Sequence, residues 1–181
     1  MRTKIATTAV ARTADQLTFS RLPLAALLVV VIASARLVLA AGILILCWIT
    51  DTLDGVLARR APGMTRLGAW DPVFDGMMAL GLMAGMVLGG YVPAVWLAPS
   101  LLFGGLLLRV RSLASGMLLQ GMAYAWFLAT LAAEDRDALN LVLFAIGVAA
   151  ITHGHRIPRV LIPRFFADLA RLKGEDHPPA G

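Results

Sequence analysis

Cysteine occurs once in 181 residues, so no disulfide can form within the chain. That residue, Cys47, lies in an apolar stretch and reads as a small core side chain. Charge is scarce as well, at 15% of positions, and internal repeats and low-complexity tracts are missing. What fills the chain instead is hydrocarbon. Hydrophobic residues make up 59% of it, mean hydropathy is +0.80, and several apolar runs approach the roughly 20 residues needed to cross a bilayer. A soluble domain has no use for so much apolar surface, so the composition points to an integral membrane protein.

Dividing the apolar runs at charges and prolines predicts six transmembrane helices, at residues 17–35, 36–59, 71–91, 93–108, 113–133 and 138–152. The expectation is an all-α membrane domain spanning residues 1–173, with a short N-terminal juxtamembrane segment, and a disordered tail over 174–181. Arg21, the apolar run that follows it and the small Ala33-Ser34-Ala35 imitate a secretory signal, but the apolar sequence resumes at once and the segment is read as a retained first helix.

Charge placement orients the bundle. Of 16 Lys and Arg, only Arg36 and Arg136 fall on the side reached after the first, third and fifth helices. By the positive-inside rule both termini are cytoplasmic. The net charge of +5 is therefore a topology signal and a contact with anionic membrane lipid, and no nucleic-acid partner is expected.

Four aspartates then stand out against this background. Asp51 and Asp54 share one helix face with Gly55 and Ala58, near the cytoplasmic end of the second helix, and Asp71 and Asp75 share a face at the cytoplasmic start of the third. The short connection is expected to make these helices antiparallel neighbours, so that the carboxylates converge. Unpaired, they would repel one another. Hard divalent cations such as Mg²⁺ or Mn²⁺ resolve the repulsion, and two ions about 4 Å apart would hold both sides of a displacement at phosphorus. Gly55 and Ala58 leave open space beside the carboxylates, and Arg59 borders it as a planar donor suited to phosphate oxygens. A phosphorylated or nucleotide ligand is implied.

Written out, Asp51-x2-Asp54-Gly55-x2-Ala58-Arg59-x8-Gly68-x2-Asp71-x3-Asp75 resembles the signature of the CDP-alcohol phosphatidyltransferases, and Asp71-Pro72-x2-Asp75 is similar to the phosphatidylglycerophosphate synthases among them. The six-helix layout and a Leu17-Thr18-x2-Arg21 opening extend the resemblance over most of the chain. It implies a membrane enzyme, commonly a homodimer, that moves a phosphoalcohol from a CDP-activated donor to a hydroxyl acceptor and releases CMP. The resemblance further implies that Asp51, Asp54 and Asp71 hold metal and that Asp75, the fourth carboxylate of the metal cluster, is the general base. Gly55, Ala58 and Gly68 would line the cytidine diphosphate pocket, with Arg59 near the diphosphate. CDP-diacylglycerol is the implied donor and glycerol 3-phosphate the nominal small polar acceptor, at the cytoplasmic face of a bacterial plasma membrane. Arg21, Arg109 and Arg111 are candidate phosphate ligands, although arginines at cytoplasmic helix ends also serve as interfacial anchors.

The chain departs from the family pattern in three places. Two residues, not three, separate Gly68 from Asp71; Pro72 suits the first turn of a helix, so the shortening is expected to be absorbed in the preceding loop. Gly76 follows Asp75 where those synthases commonly have lysine, and of their basic stretch in the fifth helix only Gln120 is matched. Two rivals to an active transferase share these features: an inactive relative that binds CDP-lipid or acts as a scaffold, and a cation transporter.

Remaining features have bland readings. Gly81, Gly85 and Gly89 form a stripe expected to pack within the monomer. Asp15 is expected to cap the first helix. His153 and His155, two apart on a helix, point away from each other, and residues 156–173 form a basic segment on the inner leaflet.

Overall fold

The computed structural model describes residues 9–60, 70–110, 113–153, 163 and 166–167. Among them the chain is all helical, with no strand. Six helices follow in order: α1 (Ala9–Ala33), α2 (Leu37–Arg60), α3 (Asp71–Leu88), α4 (Leu97–Val110), α5 (Leu113–Glu134) and α6 (Arg136–His153), with a 3₁₀ turn at Ala94–Trp96 ahead of α4. Two of them contain stretches long and apolar enough to cross a membrane, Asp15–Ala33 and Ala114–Glu134; Leu37–Leu53, Pro72–Leu88 and Ala94–Arg109 are shorter apolar segments.

The first helix begins upstream of the expected start, at Ala9. Residues 9–16 contain no glycine or proline to stop it, and with Arg12, Thr13, Asp15 and Gln16 among them they form no continuous apolar run. Asp15 therefore lies inside α1 rather than at its cap. The second correction concerns neighbours. The main packing pairs are α1 with α3, α1 with α2, α3 with α4 and α5, α4 with α5, and α6 with α2 and α5. The pairing expected between α2 and α3 is not one of them. Instead α1 packs against both, so anything shared by α2 and α3 is brokered by α1.

Small residues make that arrangement possible. A Cβ placed on Gly81 would stand 2.8 Å from the Ala25 carbonyl oxygen, and one on Gly85 would stand 3.0 Å from Ile32 Cβ. The stripe on α3 is thus the seat of α1 within the monomer, as expected from its spacing, whereas a Cβ on Gly89 would meet Tyr91. The core beneath is Leu28 and Ile32 of α1, Ala40, Ala41 and Leu44 of α2, Leu82, Met83 and Met86 of α3, and Leu119, Ala123 and Phe127 of α5.

Helix ends are closed by local chemistry. At the end of α1, Arg36 N–H donates to Val31 O and Ala35 N–H to Ile32 O, with Ala35 in the left-handed region at φ 58°. The end of α3 repeats these bonds with Gly90, at φ 78°, in the same place. Asp135 Oδ1 accepts from the backbone N–H groups of Asp137 and Ala138, capping α6. At the α3–α4 end of the bundle Trp96 meets Trp126 edge-on, with ring centroids 5.1 Å apart.

Candidate functional site

Arg21 is the largest fully buried side chain of the molecule's described part, with 1% of its side chain exposed. It lies six residues into the apolar stretch Asp15–Ala33, roughly 9 Å along the helix axis. A guanidinium at that depth is costly unless its charge is matched. The match comes from two helices at once. Nη1 donates to Asp75 Oδ1 of α3 at 2.6 Å, and Nη2 donates to Asp51 Oδ1 of α2 at 2.7 Å. The carboxylates sit nearer the surface, 31% and 51% exposed, so the arrangement runs from a dry cation outward to two partly wet anions.

Above this triad opens a cavity of about 170 Å³, lined by Arg21, Leu44, Cys47, Trp48, Asp51, Asp75, Met78, Gln120 and Tyr124. Four helices contribute to it. On α2 the lining residues Leu44, Cys47, Trp48 and Asp51 follow one another at three, four and seven residues, which is a single face. Asp75 and Met78 on α3, and Gln120 and Tyr124 on α5, obey the same spacing. Opposite the charges, Trp48 Nε1 donates to Tyr124 Oη at 3.3 Å, and the two rings meet edge-on at 5.7 Å and 86°. The cavity therefore has one charged wall and one wall of neutral donors and acceptors.

Trp48 has a second face. It also borders an apolar groove of about 460 Å³ between α2 and α6, lined by Ile45, Ile49 and Leu53 on one side and Leu141, Phe144 and Val148 on the other. Thr52 and Thr152 close its end, but Thr52 Oγ1 donates to Trp48 O, and Thr152 Oγ1 to Val148 O and Ala149 O. Their hydroxyls are turned to their own backbone, so the groove is apolar along its length.

The structure joins three of the residues singled out from sequence, Arg21, Asp51 and Asp75. Asp54 follows Asp51 by one turn on α2, with Gly55, Ala58 and Arg59 beyond it, and Asp71 precedes Asp75 by one turn as the first residue of α3. The side chains of Asp54, Arg59 and Asp71, together with Gly68 and Arg111, lie outside the described residues, as do His155 and nearly all of the basic segment. Among the described residues no three metal-ligating side chains form a group. Arg109 is exposed in the last turn of α4 and does not line the cavity. Because α3 starts at Asp71 with Pro72 in its first turn, the shortened spacing after Gly68 falls ahead of the helix and no residue is missing inside it. Sequence reasoning missed Trp48 and Tyr124 as site residues. Their signal was present in helical spacing from Asp51 and Gln120, since each stands three or four residues from a polar group already noted.

The described residues are all helical, two of their helices contain stretches long and apolar enough to cross a membrane, and charge is gathered at one cavity. A family model, CDP-alcohol phosphatidyltransferase, matches residues 11–153, and the chain belongs to that family. Its members transfer a phosphatidyl group from a CDP-alcohol, and the chain is a transferase of that class in phospholipid biosynthesis. The family generally uses divalent metal ions. Comparison with curated proteins and with solved structures returns no match. The donor set suits a hard divalent ion, because the described residues bring the carboxylate oxygens of Asp51 and Asp75 to the cavity, beside a single buried thiol, Cys47.

Proposed function

We propose that the protein transfers the phosphatidyl group of CDP-diacylglycerol to the hydroxyl of a small polar acceptor, nominally glycerol 3-phosphate, and releases CMP. The observation that carries this reading is the joining of Asp51 and Asp75 by Arg21 at the mouth of one cavity, because it brings together the first and last carboxylates of the motif from two helices that are not principal neighbours. The apolar groove behind Trp48 supports a lipid donor: a diphosphate seated by the carboxylates has hydrocarbon surface within one side chain's width.

Asp51, Asp54 and Asp71 would hold Mg²⁺ or Mn²⁺, two ions with Asp75 as the fourth carboxylate of the cluster. The ions would neutralise the diphosphate and stabilise the leaving CMP. Asp75 receives the proton of the acceptor hydroxyl as that oxygen bonds to the lipid-bearing phosphorus and the bond to CMP breaks. Arg21 fixes the rotamer from which Asp75 acts. Gly55, Ala58 and Gly68 admit the nucleotide, Arg59 meets the diphosphate, and Arg109 and Arg111 contribute charge toward phosphate. Gln120 and Tyr124 face the acceptor from α5. All six helices span the membrane with both termini in the cytoplasm, in a bacterial plasma membrane, and the working form is a homodimer.

The test is CMP release from CDP-diacylglycerol by the purified protein with Mg²⁺ or Mn²⁺, across a panel of phosphorylated and unphosphorylated alcohols, beside Asp75→Asn. Acceptor-dependent release that the substitution abolishes supports the transferase and names its acceptor. Folded protein that binds CDP but releases no CMP with any acceptor is instead the inactive relative.

A further inference from the structure

Asp75 and Asp51 each accept from the guanidinium through Oδ1. Nη1 takes Oδ1 of Asp75 and Nη2 takes Oδ1 of Asp51, where a fork-to-fork pair with a single carboxylate would have used both nitrogens on one partner. Arg21 thus spends its two ends on two different helices. Since α2 and α3 pack mainly on α1 rather than on each other, Asp51 and Asp75 are related chiefly through α1, and Arg21 is the α1 side chain that bonds both. The guanidinium is planar and rigid, and at 1% exposure it has no room to swing toward solvent.

We infer that Arg21 is a positioning residue, a clamp that sets the spacing and orientation of Asp51 and Asp75 for cation binding, rather than a ligand of the substrate's phosphate. Carboxylates that ligate metal are commonly held by a hydrogen-bonding partner behind them, and loss of such a partner typically costs 10–100-fold in metal affinity or activity. Arg21 borders the cavity but is far drier than either acid, which fits a support behind them. The inference rests on the metal-dependent reading of the same carboxylates but makes its own demand: the effect of Arg21 must appear in metal affinity before any substrate is present.

The experiment is Mn²⁺ binding to the full-length protein in detergent, followed by the electron paramagnetic resonance signal of free Mn²⁺, for wild type, Arg21→Ala and Arg21→Lys. CDP affinity is then measured for each at saturating Mn²⁺. The expected result is Mn²⁺ affinity lowered by about 10–100-fold in Arg21→Ala, with CDP affinity at saturating metal within about twofold of wild type. Arg21→Lys restores charge but not the two-ended plane, so it recovers the yield of folded protein while Mn²⁺ affinity stays about tenfold low. If Arg21→Ala does not fold, the lysine variant carries the comparison alone. Unchanged Mn²⁺ affinity with weakened CDP binding overturns the clamp and makes Arg21 a phosphate ligand. Tighter Mn²⁺ binding in Arg21→Ala also overturns it, since Arg21 would then be a competitor of the metal. Wild-type protein that binds no Mn²⁺ sinks the metal-dependent reading and the clamp together, whereas the preceding two outcomes sink the clamp alone.

Discussion

Trp48 and Tyr124 show how much one polar contact matters when it stands between two compartments. Their single hydrogen bond holds the partition between the charged cavity and the apolar groove. Tyr124→Phe removes the acceptor and leaves the indole N–H to find another, which is expected to lower stability by about 1–3 kcal/mol. Trp48→Phe removes the donor with similar direction. Because both delete the same bond, the double variant should fall short of the sum of the two, and melting temperatures of all three in detergent check this. Neither partner was named from sequence, for a physical reason: aromatic residues in apolar helices carry no individual signal until the partner across the bundle is known. Arg21 was visible as a candidate phosphate ligand or interfacial anchor, and Asp51 and Asp75 as a motif. That the three touch, across separations of 30 and 54 residues, was not readable from any local pattern.

Among the elements, the junctions are the informative parts. The end of α1 places Ala35 in a conformation that favours glycine, while the end of α3 uses Gly90 for the same hydrogen bonds. Ala35→Gly should therefore stabilise the protein, by about 0.5–1 kcal/mol after the added freedom of the unfolded chain is subtracted, and a raised melting temperature is the readout. Gly81→Leu has the opposite sign. A side chain there collides with the backbone of Ala25, forces α1 from α3 and costs about 1–3 kcal/mol or more. Since Arg21 lies one turn before Ala25, that variant is also expected to lose transferase activity at temperatures where it remains folded. Helices α2 to α6 were legible to within a few residues because charges, prolines and glycines bracket their apolar runs. The start of α1 was not, since polar residues interrupt the small apolar ones in its first two turns, and the 3₁₀ turn ahead of α4 lies below the resolution of any hydropathy pattern.

For the molecule as a whole, the proposed orientation and lipid donor make separate demands. In a Cys47→Ser background, Arg36→Cys and Arg136→Cys should react with a membrane-impermeant maleimide on intact cells, and Arg109→Cys only after lysis; the reverse pattern would refute the cytoplasmic placement of both termini. The groove makes its prediction through substrate length. Ala149→Phe narrows it at one side, so KM for a long-chain CDP-diacylglycerol should rise several-fold while KM for a short-chain donor changes little, with kcat nearly constant. Charge bias supplies only the proposed orientation, while hydropathy made the six helices readable from sequence. Which helices touch was not, because loop length suggested α2 beside α3 while the small residues on α3 gave that place to α1.

The three-helix grip of Arg21 has a consequence for how the protein is made. α1 leaves the ribosome first, carrying a guanidinium deep in its apolar stretch, and the partners arrive only 30 and 54 residues later. At ordinary synthesis rates that interval is on the order of several seconds. During it the first helix must enter the membrane with its charge unmatched, or wait at the insertion machinery until α3 appears. Biogenesis, as well as the proposed catalysis, then depends on Asp51 and Asp75: variants lacking both acids should yield less inserted α1 even before any product is sought, as a glycosylation or protease-protection assay on truncated nascent chains would register.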